Sequence, residues 1–167
     1  SVGNADGDDN TAFDGGPHAD ANSNTLAAVA MDFYERDLST TLADNVPEND
    51  YEDTNTGVIY TDDNPQQHMV TYVVAFGLTG SGLTTPLDHD SATAAPPWTT
   101  PTNSATKLDD MQHAAFNGRG LFLNADDPQE LIDSLTDSLS DIDQRTSVSG
   151  SAIAINSTVL KTTSRIF

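Results

Sequence analysis

The chain has no cysteine, and only 6 Lys and Arg among its 167 residues against 26 Asp and Glu. The first absence excludes disulfides and thiolate metal sites. It is compatible with an oxidising or a reducing compartment, so it does not locate the protein. The second excludes a nucleic-acid surface: Arg36, Lys107, Arg119, Arg145, Lys161 and Arg165 cannot assemble a basic patch, and a net charge of -20 repels phosphate and anionic lipid alike. Long hydrophobic runs are missing too. The longest apolar stretch, residues 70–78, is well short of the ~20 residues that span a bilayer, and the chain does not open on a charged n-region followed by an apolar h-region. These absences predict a soluble, acidic chain of at most one ordinary domain, without membrane insertion.

What is present is unevenly placed. Fifteen of the 26 acids lie in residues 1–67 against one base, Arg36. Residues 1–24 are mostly Gly, Asp and Asn, a composition that cannot build its own core and reads as a loop ordered by an ion. Leu26, Val29, Ala30 and Phe33 then recur at helical spacing behind Asn24 or Thr25 as the cap, which predicts a helix over 25–38. Residues 40–67, with Pro47, Gly57, Pro65 and many acids, predict a long exposed loop. The run HMVTYVVAFGL at 68–78 predicts a strand of a parallel sheet covered on both faces. A second irregular stretch, 79–106, holds the lone Trp98, expected to pin its loop onto the sheet. A short helix over 107–116, a strand over 121–124 and a helix opened by Pro128, with Leu131, Ile132, Leu135, Leu139 and Ile142 on one face, complete the pattern.

Helix, strand, helix, strand, helix predicts an α/β fold with parallel strands. Phe33, Val74, Phe76, Leu131 and Leu135 are its expected core. The chain divides into an acidic loop (1–24), an α/β part (25–146) and a β-prone tail (147–167), the tail expected to be extended and to pair with a missing module or a neighbouring subunit.

The sharpest constellation is NADGDDNTAFD, where Asn4, Asp6, Asp8, Asn10 and Asp14 place hard oxygen ligands around Gly7 in the manner calcium requires. Against the twelve-residue calcium loop the match is partial, with Thr11 where Gly is expected and no closing Glu. Calcium at these five residues and a solvated acidic turn both remain open. His18, His68, His89 and His113 read as solvated or packed, since none has a second His or Cys at the spacing zinc sites use. No G-x-S-x-G, H-E-x-x-H or phosphate loop is present, and GLTGSG at 77–82 lacks the required Lys, so catalysis is disfavoured.

Several stretches, taken in order, resemble the PilC/PilY family of type IV pilus tip adhesins and biogenesis factors. They are VGNADGDD with FDGG and HAD, SNTLAAVAMDFYERDLS, QHMVTYVVAFGL, the Trp98 loop, and KLDDMQHAAFNGRGLFLNADDPQELIDSL with SDIDQRTSVSGSA. The resemblance implies the second half of a von Willebrand factor A-like α/β (Rossmann-like) domain and the approach to a β-propeller. It also implies an extracellular, cell-surface, pilus-associated role, with the rest of the pilus-tip protein and other pilus proteins as partners. The D-x-S-x-S motif of that family's adhesion site is absent, so no adhesion-site residue carries over. Two functions follow as expectations. The first is a calcium-assisted, non-enzymatic adhesin or biogenesis module. The second is a subunit of a homopolymeric filament in which identical chains exchange terminal segments.

Overall fold

A computed structural model describes residues 1–53, 58–76, 80, 96–125 and 128–148. The first helix, α1 (Leu26–Glu35), starts where the sequence places a cap: the Thr25 side chain accepts the amide N–H of Ala28 at 3.0 Å. Its next two orphan donors, the amides of Leu26 and Ala27, are taken by the two carboxylate oxygens of Asp110 at 3.0 and 3.1 Å. The buried face is Ala27, Ala30, Met31 and Tyr34, with Leu26 exposed and Phe33 only half-buried. The apolar stripe expected from Leu26, Val29 and Phe33 is thus rotated by about one residue. The reason is steric, because the alanines let α1 approach a second helix, α2, closely.

The stretch expected to be an exposed loop contains an antiparallel hairpin, β1 (Asn49–Asp53) and β2 (Val58–Asp62), with Asn49 opposite Asp62 and Tyr51 opposite Tyr60. The expected parallel pair is present: β3 (Thr71–Phe76) lies beside β4 (Arg119–Ala125), in register from Val73 opposite Phe122 to Phe76 opposite Ala125. α2 (Ser104–Asn117) comes between them in sequence and is opened by a capping box in which Asn103 and Thr106 satisfy each other's backbone donors. The turn from α2 into β4 is a single residue, Gly118. A Cβ there would lie 2.6 Å from the Thr71 side chain, and one on Gly120 would collide with the Thr71 carbonyl. Glycine is required here because β4 comes so close to β3, and the register slips between Thr71 and Val73 at the same point.

α3 (Pro128–Val148) begins at the proline, as expected. Its orientation corrects the expected core. Ile132, Leu135, Leu139 and Ile142 are 57%, 47%, 66% and 41% exposed, while among the helix's described side chains Ser138 and Asp141 are the buried ones. Phe76 is 52% exposed, at the end of β3. Val74 and Leu131 are half-buried. Polar contacts attach α3 to the body: Arg145 donates to Asp62 of β2 at 2.6 Å, to both oxygens of Asp141 at 3.1 Å and to the Arg119 carbonyl at 2.7 Å. Tyr72 of β3 donates to Asp141 at 2.6 Å, and Tyr34 of α1 to Asp62 at 3.0 Å. The tail beyond residue 148, His89 and GLTGSG apart from Gly80 lie outside the described residues.

Candidate metal centre

Residues 1–24 are a loop by conformation, yet part of it belongs to the interior. Ala5 and Asp6 are buried, and Ala5, Met31 and Tyr34 form one apolar cluster with Phe13 packed against it. Left-handed backbone at Gly3, Asp9, Gly15 and Gly16 folds the segment back on itself. A composition unable to build a core of its own thus still contributes to a shared one. Arg119, buried beneath it, donates to the carbonyls of Phe13 at 2.9 Å and Asn117 at 2.8 Å and lies over the Tyr34 ring at 4.3 Å.

The five residues expected to hold calcium are divided between the inside and the outside. Asp8, Asn10 and Asp14 gather at the outer end, where the Asn10 amide N–H donates to Asp8 at 3.2 Å and to Asp14 at 2.9 Å. Burial raises the Asp14 carboxyl above its ordinary range, more than the neighbouring amides lower it, and Asp8 raises it further. Asp6 and Asn4 face the other way. Asp6 is fully buried, its Oδ2 accepting the Asn117 side-chain amide at 2.9 Å.

Asp6 meets Asp20 and His113 instead. Among the described residues, these three bring one ligand atom each within 4.8 Å of the others. His113 Nε2 is 3.5 Å from Asp6 and 2.6 Å from the His18 carbonyl, while Nδ1 is 3.6 Å from Asp20. Burial pushes the Asp6 carboxyl up to about 6, with His113 opposing and Asp20 adding to the rise. Burial also acts to raise Asp20, but the neighbouring His113 imidazole and the hydrogen bonds from Asn22 outweigh it and hold that carboxyl below its ordinary value. Trp98 covers the imidazole as a stacked lid, ring centroids 3.9 Å apart at 7°, and its Nε1 donates to the Pro17 carbonyl at 2.9 Å. Trp98 thus pins its loop, as expected, but onto α2 and the acidic loop.

His113, read from the sequence as solvated or packed, is packed and also faces two carboxylates. Sequence spacing does not reveal this, because the cluster joins a loop to a helix far along the chain. The available signal was that HAD and QHAAFNGRG both stand among the stretches carrying the family resemblance. A separate cleft of about 390 Å³, lined by Asn24, Thr25, Leu26, Lys107 and Asp110, is no anion site, because Asp110 already takes the helix N–H groups. Among the described residues, no helix is long and apolar enough to cross a membrane.

These features define a mixed α/β module with a small parallel sheet and a buried carboxylate–imidazole cluster. The type IV pilus biogenesis factor PilY1 of Pseudomonas aeruginosa strain PAK is 35% identical over 164 residues, an alignment that takes in 85% of this chain and 14% of that protein. The PilY1 of strain PAO1 is 32% identical over 164 residues, and that of strain UCBPP-PA14 is 29% identical over 146. No protein-family model and no solved structure matches the chain. The chain belongs to the PilY1-type family, as the counterpart of one segment of those much longer proteins.

Proposed function

We propose that the chain is a pilus-associated, non-enzymatic module of a type IV pilus biogenesis factor, displayed at the cell surface and acting through contacts with other parts of the pilus-tip assembly. The likeness to PilY1 over 85% of the chain carries this reading. The exposed apolar stripe of α3 supports it, because Ile132, Leu135, Leu139 and Ile142 present a row that a further part of the assembly would cover. In this reading the α/β body is the second half of a von Willebrand factor A-like domain, and the stripe faces the remainder of that protein. A non-enzymatic role is supported by burial: His113 is 1% and Asp6 0% exposed, so among the described residues the cluster presents no open group to a substrate. Calcium belongs to Asp8 and Asp14 at the outer end of the loop, whose oxygens converge on one amide and repel each other until a hard cation joins them.

Replacing Leu135 and Leu139 with Asp in the full-length gene tests the role. The expected result is a folded protein and a large fall in the number of surface pili. A normal pilus count with the altered protein present at its usual level would reject the reading.

A further inference from the structure

We propose that Asp6, Asp20 and His113 form a second, buried site for a divalent first-row metal cation such as zinc or manganese, with His113 ligating through Nδ1. This inference does not depend on the pilus assignment.

Four observations converge on it. One donor atom from each of the three side chains already lies within 4.8 Å of the others, in a site almost closed to solvent. Asp6 Oδ1 is buried and has no hydrogen-bond partner among the described residues, although Asp6 Oδ2 is held in place by Asn117. A fully buried carboxylate oxygen without a partner is costly, and a cation satisfies it. The imidazole is set for ligation in the way metal-bound histidines usually are: its Nε2–H donates to the His18 carbonyl at 2.6 Å, which fixes the tautomer and leaves Nδ1 toward Asp20. Asn4 is tied to the same place, its Nδ2 donating to the Asp20 carbonyl at 3.1 Å while its Oδ1 is likewise buried and without a partner among the described residues, which makes it the fourth donor of the proposed site.

The donor set decides the metal class. Calcium and magnesium take oxygen ligands, whereas one imidazole nitrogen with two carboxylates and an amide oxygen suits zinc or manganese. The 3.6 Å separation of Nδ1 and the Asp20 oxygen is close to the ~3.4 Å edge of a tetrahedron with bonds of about 2.1 Å. The loop is built to hold these donors. A Cβ on Gly7 would lie 2.6 Å from Asn4 Nδ2 and 2.9 Å from the Asp20 carbonyl, so only glycine lets Asn4 reach Asp20.

Trp98, the one tryptophan of the chain, stacks on His113 and reports on the site directly. Zinc added to the metal-stripped 167-residue chain is expected to change Trp98 fluorescence saturably at one equivalent. His113→Gln is expected to weaken zinc binding more than about 100-fold, beyond the cost of losing a supporting contact. Asp14→Asn is expected to leave it unchanged. Should His113→Gln fail to fold by circular dichroism, cobalt on the unaltered chain decides, with visible d–d bands and paramagnetic shifts of the His113 ring protons expected. Absence of a zinc or cobalt response, equal zinc affinity in folded His113→Gln, or the same Trp98 response to calcium alone would overturn the proposal.

Discussion

Trp98 lies flat on His113, the two rings 3.9 Å apart and within 7° of parallel, so one residue of an irregular, proline-flanked stretch closes the interior of the molecule. The Trp98 indole also ties the Pro17 carbonyl to this stack, which joins three separate parts of the chain. Trp98→Ala is expected to destabilise the fold by about 1–3 kcal/mol, less than the ~3–5 of a fully buried aromatic because Trp98 is only half-buried. Urea unfolding checks this. A midpoint equal to that of the parent would mean that the stack contributes nothing.

Met31 and Phe76 exchange the importance that their sequence context suggests. Met31 is 0% and Phe76 52% exposed, so Met31→Ala should cost about 2–5 kcal/mol and Phe76→Ala well under 1. Paired denaturation curves give the order directly.

Arg145 pairs with both Asp62 and Asp141, which are buried. Burial acts to raise Asp62, but His68, Arg145 and Tyr34 together hold its carboxyl below the ordinary value. Arg145→Met removes the guanidinium from two buried carboxylates and should cost about 3–5 kcal/mol. Because the folded Asp62 titrates below its unfolded value, its stabilisation is present above that unfolded value and is lost as pH falls through the depressed folded one. The parent should therefore lose stability at acid pH, and the variant should lose less. Melting curves between neutral and about pH 3 test both statements.

Glu35 has the opposite sign. Burial lifts its carboxyl to about 7 from 4.5, with Asp14, Asp8 and Asp32 adding to the rise and the Thr11 hydroxyl, 3.0 Å away, opposing it. The folded state therefore favours the protonated form. Its contribution is fully present below the unfolded value and is lost as pH rises through about 7. Glu35→Gln should flatten the decline over that window and leave the variant more stable than the parent at pH 8. Equal pH profiles for the two proteins would contradict it.

The parts of the fold that were legible carry local signals. Thr25 and Pro128 mark helix starts, and the β-branched run around Val73 and Val74 marks a strand buried enough to pair in parallel. The β1–β2 hairpin was hidden because NDYED has the composition of a turn, and its strand conformation comes from pairing with VIYTD. In α3 the periodicity was correct and its use was not. A hydrophobic stripe shows which residues share a face, but here the Asp62–Arg145–Asp141 contacts turn the polar face inward. The acidic loop showed ligand types without showing partners. Asp6 was recognisable as an oxygen donor, whereas its meeting with Asp20 and His113 depends on where α2 places one helical turn.

The pilus assignment is tested most directly by shearing surface pili from cells that express the full-length gene and probing the fraction with antibody to this chain. The account predicts that the chain is present in the sheared fraction and is lost from it in cells lacking the pilin. Recovery of the chain only inside the cell, or in equal amount in the sheared fraction without pilin, would contradict it.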